Sequence, residues 1–413
     1  MVHEVARTAE KTMAPIPRLK PDDGPALLSY GFRPFFLFGA VYAGLAVMAW
    51  MPVFTGALEL MTAFAPRDWH VHEMLYGYVP AIVAGFLLTA IPNWTGRLPL
   101  QGRPLAVLVL AWLAGRAAVN LSALTGWAAA AAIDSSFLVL VAAAAAREIA
   151  AGRNWRNLKV VVLVSLLATG NIAFHLEAHF AGTAVYSTRA GLAVIVVLIT
   201  LVGGRIVPSF TRNWLARENP GRLPAPFGRF DMVVVAASAA ALAVWVALPD
   251  ATATATGLVI AGLLNLVRLA RWAGDRTLRD RLVLVLHIAY AFVPLGLVLL
   301  GCAAFGHVPE AAGIHALGGG AVGTMTLAVM TRASLGHTGH ALVASSATQA
   351  IYAAVVAAAL LRIAAALIPD IAIPLLSLSA AAWAGAFLGF GLAYGPLLAL
   401  PRRDMEALRR AAE

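Results

Sequence analysis

The chain has 413 residues, 61% of them hydrophobic and only 12% charged, about half the charged share of an ordinary soluble domain. With a mean hydropathy of +0.82 this excludes a soluble globular protein and predicts an all-α polytopic membrane protein in contact with the lipid bilayer. The net charge of +10 is then read as membrane topology, with no nucleic-acid partner expected, and the single Cys302 excludes an internal disulfide or a multi-cysteine cluster.

Taken in chain order, residues 1–30 are polar, carry Arg7, Lys11, Arg18 and Lys20, and contain no apolar run. They are expected to form an N-terminal tail without a cleavable signal peptide. Apolar runs near 20 residues predict about twelve transmembrane helices, at 33–52, 71–92, 104–123, 127–146, 158–180, 188–208, 230–249, 254–272, 282–304, 314–333, 342–366 and 371–398. These form a single transmembrane domain over 31–400. Its halves, 31–215 and 229–400, meet at a basic linker around Asn219–Gly228, and a tail of 401–413 follows.

Lys and Arg are strongly lopsided if the N-terminus lies inside. Inner segments then collect Arg147, Arg153, Arg156, Lys159, Arg205, Arg212, Arg217, Arg268, Arg271, Arg276 and Arg332, among others, whereas clearly outer loops hold only Arg67. The bias predicts a bacterial cytoplasmic-membrane protein with both termini in the cytoplasm. It also places His70, His72, His175, His179 and His315 near the outer face, and His287 and His337 near the inner one.

Imidazoles in lipid need partners, so an outer cluster calls for chemistry. His175 and His179 are four apart and share a helix face, with Asn171 one turn back. His70 and His72 are two apart. They can serve one site only if the helix starts between them; in a regular helix they face two. His70, His72, His175 and His315 are the candidate metal ligands, with Met74 a soft side chain suited to copper(I). No CxxCH occurs, so any haem would be non-covalent.

The inner ends hold a different set. Arg33, Arg205 and Arg332, with Ser209, Thr211, Ser334 and His337, make a donor-rich group that suits haem propionates or a small anion. Positive-inside anchoring is the competing explanation. Pro92 and Pro208 are expected to break their helices nearby. Within the membrane, Arg116 and Asp134 are expected to pair, since either alone would be costly. A faint repeat also appears: His72 precedes Gly96 by the interval separating His315 from Gly339, and Thr188, Arg205 and Thr211 echo His315, Arg332 and Thr338. Helices 2, 6 and 10 would then be equivalent members of three four-helix units gathered round one axis.

The motifs GFRPFFL (31–37), WHVHEM (69–74), AIPNWTGR (90–97), GGRIVPSFT (203–211), LHIAYAFVPLG (286–296) and MTLAVMTRASLGHTG (325–339) together resemble the NnrS family of multispanning bacterial membrane proteins. The resemblance implies haem b and copper as cofactors, nitric oxide or a related small molecule as ligand, and a part in denitrification or nitrosative-stress resistance. It implies cofactor-binding roles for His70, His72, His175, His287, His315 and His337 without dividing them between iron and copper. Two alternatives stand beside it. One is a twelve-helix transporter of a small anion or metabolite. The other is an oxidoreductase acting on nitric oxide, with an electron donor that no cytochrome c or flavin motif identifies.

Overall fold

The computed structural model describes residues 24–401; of the two expected tails, 1–23 and 402–413 lie outside the described residues. Among the described residues there are twelve long helices: α1 Phe32–Phe54, α2 Pro66–Thr95, α3 Arg103–Asn120, α4 Trp127–Ala151, α5 Leu158–Ala181 and α6 Tyr186–Glu218, then α7 Arg229–Ala247, α8 Thr252–Ala270, α9 Arg281–Ala304, α10 Glu310–His337, α11 Ser346–Leu367 and α12 Ala372–Ala399. Eleven are long and apolar enough to cross a membrane. The exception is α3, whose 18 residues include Arg103 and Arg116. The chain is a multi-pass membrane protein.

Helix ends follow local chemistry. α2 stops at Gly96 and α5 at Gly182, both in left-handed conformation at φ 70° and 78°, which costs glycine little. α9 starts at Asp280, whose carboxylate accepts from the backbone N–H groups of Leu282 (2.8 Å) and Val283 (3.2 Å). The linker is pinned rather than loose. Arg222 donates to Asp275 at 2.6 Å, a hydrogen bond that holds this carboxyl below its ordinary pKa, and Arg276 donates to the carbonyls of Asn219 and Pro220.

The centre of the bundle is α2. Of its apolar stretch 83% is buried, against 28% for α12 at the periphery. From there it reaches both other helices of the expected trio: Tyr76 donates to the Ser187 carbonyl of α6 at 2.7 Å, and Tyr78 hydrogen-bonds Thr326 of α10. The repeat holds further detail for two of the three. Immediately after His72 and after His315 the backbone widens into a π-helical segment, Glu73–Tyr78 and Ala316–Gly323. The glycine 24 residues on is left-handed in each case, Gly96 at 70° and Gly339 at 78°. α6 has no π segment and stays α-helical through Arg212. Such widenings concentrate at functional sites.

Two expectations are corrected. Neither Pro92 nor Pro208 breaks its helix; α2 and α6 run on through them. One lost N–H is a small part of a long buried ladder, and packing on neighbouring helices holds the rest in place. Arg268 is not a loop anchor but fully buried, donating to Asp231 (2.8 Å), the Thr200 carbonyl (2.8 Å) and Tyr290 (3.0 Å), so that α6, α7, α8 and α9 are joined. Gly204 exists for this side chain, since a Cβ there would lie 2.1 Å from Nη2. Trp69 is buried as well and donates to Asn120 at 3.1 Å.

Candidate metal centres and a cavity at the opposite end

Because α2 begins at Pro66, His70 and His72 both lie in regular helix and point to different places. The structure therefore selects the two-site alternative. His72 turns inward to meet α4 and α5. Its Nε2 lies 3.1 Å from Asp134 Oδ2 and 3.0 Å from Asn171 Oδ1, while His175 Nε2 reaches the same Asp134 oxygen at 3.1 Å. One ligand atom from each of His72, Asp134 and His175 falls within 4.8 Å of the others. Tetrahedral ligands about 2.0–2.1 Å from a metal are roughly 3.3 Å apart, so modest contraction would close the set around an ion.

The surroundings make this more than a chance cluster. His72 Nδ1 lies 3.0 Å from Glu73 Oε1, the carboxylate–imidazole arrangement that orients metal-ligating histidines and raises their basicity. Glu73 also accepts from Tyr42 and from Arg116, and Arg116 bridges to Asp134. The expected Arg116–Asp134 pair is thus present, as part of a larger network. Glu73 and His72 are fully buried, and Asp134, His175 and Asn171 are no more than 3% exposed. Phe64 and Phe174 wall the centre, their rings 5.0 to 5.3 Å from the His72 and His175 rings. Two carboxylates face one permanent cation. The network needs a further positive charge, as a proton on imidazole or as a metal ion.

His70 and His315 meet elsewhere. The His70 ring stacks on Trp50 of α1 at 4.5 Å, and its buried Nδ1 has no hydrogen-bond partner. His315 Nδ1 donates to the Ala311 carbonyl at 2.7 Å, which fixes the tautomer and leaves the Nε2 lone pair for another partner. The two histidines are close enough to interact electrostatically with one another and with Arg362 of α11. One turn beyond His315, Gly318 and Gly319 border open space: a Cβ on either would meet no atom within 4 Å.

At the other end of the bundle lies a cavity of about 690 Å³, lined from α2 by Asn93 and Trp94, from α6 by Arg205 and from α10 by Arg332 and His337. Arg33 is not brought there. Its guanidinium donates to the carbonyls of Leu398 (2.9 Å) and Leu400 (2.5 Å), which the end of α12 leaves without helical partners. His287 is not brought there either; its Nε2 donates to Thr211 at 2.8 Å, since the Thr211 hydroxyl is itself committed to the Val207 carbonyl. Ser334 is buried and Ser209 exposed away from the lining. His179, by contrast, stacks on Trp127 at 4.1 Å and joins neither centre.

Sequence reasoning missed Glu73 and Arg362, and treated Asp134 only as half of an ion pair. Glu73 had a visible signal, a carboxylate next to a candidate ligand in WHVHEM. Arg362, inside an alanine-rich helix, had the signal of any charge in a span.

Comparison with known proteins places a family on this architecture. A family model described as NnrS protein matches residues 26–402, nearly the whole chain. No curated protein matches the chain.

Proposed function

The chain belongs to the NnrS family, and on that premise we propose that it is a haem- and copper-binding protein of the bacterial cytoplasmic membrane that handles nitric oxide and limits nitrosative damage. The observation that carries this reading is the convergence of the His72 and His175 Nε2 atoms on one Asp134 oxygen, with Glu73 behind His72. Lys and Arg bias puts this end of the bundle on the outer side and the Arg332 end in the cytoplasm.

The donor sets fit two different groups. His72, His175 and Asp134, with Asn171 Oδ1 as a fourth donor, would hold copper. With neutral imidazoles, Glu73, Asp134 and Arg116 leave one net negative charge, which a cuprous ion balances without surplus. His70 and His315 would hold haem b. They supply an orphaned Nδ1, an imidazole of fixed tautomer, the open glycine edge at 318–319 and Arg362 for a propionate. When bound, such a haem would supply electron transfer, and such a copper would bind a small nitrogen oxide if Asn171 Oδ1 gives way to it. The protein's own part is to orient His72 through Glu73, neutralise both carboxylates through Arg116, and keep water from the imidazoles with Phe64 and Phe174.

The transporter alternative keeps its basic linker and its intramembrane ion pair but loses its broken helices, since α2 and α6 are continuous through Pro92 and Pro208. Protein purified after expression with iron and copper supplied should carry both metals and a Soret band. Absence of both metals and of the band would overturn the proposal.

A further inference from the structure

The cavity at the Arg332 end is unlike the metal centres in every respect, and neither proposed cofactor uses it. It is lined by residues of α2, α6 and α10 and has two fixed cations, Arg205 and Arg332, with no carboxylate among its lining residues. Neither guanidinium has an ion-pair partner among the described residues. Instead each lies over an aromatic face: Arg332 is 4.2 Å from the Phe210 ring centroid and Arg205 is 5.3 Å from that of Phe227. Stacking on its face leaves the edge N–H groups of a guanidinium available to fork onto an oxyanion. Arg156 and Lys159 add to the positive field at Arg205, while Asp280, which is not among the lining residues, acts on Arg332 from a distance.

Two like charges facing one half-buried space are costly without a counterion. Lipid anchors would point to the headgroups, whereas these share the lining of one cavity. The remaining walls decide what the counterion looks like. Phe36, Phe86, Trp94, Leu201 and Val329 give an apolar, largely aromatic surface, and about 690 Å³ is the size of an ordinary small-molecule site and far more than an inorganic anion fills.

We infer that this cavity binds an organic acid, its carboxylate held by Arg205 and Arg332 and its apolar body packed against Trp94 and Phe86. The inference is independent of the metal assignments. An anionic lipid headgroup offers the same oxyanion, and the test separates the two sources. Full-length protein in phosphatidylcholine nanodiscs is titrated with 2-naphthoate. Saturable one-to-one binding is expected, weakened about tenfold or more by Arg205→Gln and by Arg332→Gln and abolished by Ala90→Trp, which fills the cavity from α2, a helix that carries neither arginine.

In discs that also contain phosphatidylglycerol, unchanged naphthoate affinity supports a free acid as the occupant. Competition that disappears in the arginine variants assigns the oxyanion to lipid and overturns the organic-acid assignment. No saturable binding to the wild type in phosphatidylcholine, or equal affinity in wild type and all three variants, also overturns it. Iron content and the Soret band should stay at wild-type level in every variant. Their loss in Arg205→Gln and Arg332→Gln would mean that porphyrin propionates occupy the cavity, which would overturn this inference while leaving haem binding itself intact.

Discussion

Replacing Arg116 with methionine is expected to lower the stability of the purified protein by about 3–5 kcal/mol, the cost of leaving buried charge without its partner. Arg116 is 5% exposed and, among the described residues, is the one permanent cation in contact with both Glu73 and Asp134. Without it, two carboxylates share a dry pocket and neither reaches water. Most of the loss should be offset by removing the charges together. Arg116→Met with Glu73→Gln and Asp134→Asn takes out one cation and two anions, and should regain most of the lost stability while losing the metal centre. Thermal unfolding in detergent and accumulation in the membrane provide the readout. An Arg116→Met protein as stable as wild type would show that the pair contributes nothing, and a triple variant less stable than the single one would contradict the charge-balance account.

The second large effect concerns copper. His175→Ala removes one of three convergent ligand atoms and should strip copper during purification. Glu73→Gln keeps all three ligands and an acceptor for Arg116, but weakens the carboxylate behind His72 Nδ1. Loss of such a supporting group typically costs 10–100-fold in metal affinity, measurable by competition with a cuprous chelator. Wild-type affinity in Glu73→Gln would mean that the contact orients nothing, and copper retained in His175→Ala would place the ion elsewhere.

Much of this arrangement was legible in the sequence because bilayer thickness and charge bias constrain so few things so tightly. Apolar run length gave most helix ends to within about five residues, although α6 runs on from its expected end at 208 to Glu218, and the rarity of charge in lipid singled out Arg116 with Asp134. The two-residue spacing of His70 and His72 posed the right question, one site or two, but could not answer it. The answer depended on α2 starting at Pro66 rather than near 71, a difference of about one turn. Glu73 was hidden for a related reason. It lies at the first residue of a π-helical segment, where the widened backbone changes which side chains share a face, and hydropathy carries no trace of that.

Other misses came from partners distant in sequence. Arg33 looks like a cofactor clamp until the end of α12 arrives with unpaired carbonyls 365 residues later. Arg268 looks like a topological marker until Asp231 and Tyr290 enclose it. Pro92 and Pro208 were read by the rule for exposed helices, where a proline ends the ladder. In a tightly packed bundle the neighbours keep the helix straight through. The equivalence of α2 and α10 was fainter in residues than it is in backbone, where both carry a π segment after the histidine and a left-handed glycine at the same interval.

The central claim is that two residues two apart in WHVHEM, His70 and His72, serve two different metals. Iron, copper and the optical spectrum measured side by side on purified wild type, His70→Ala and His72→Ala test it most directly. The account predicts reciprocal loss: His70→Ala loses haem iron and the Soret band while keeping copper, and His72→Ala loses copper while keeping the Soret band. Loss of the same metal in both variants, or retention of both metals in either, would contradict it.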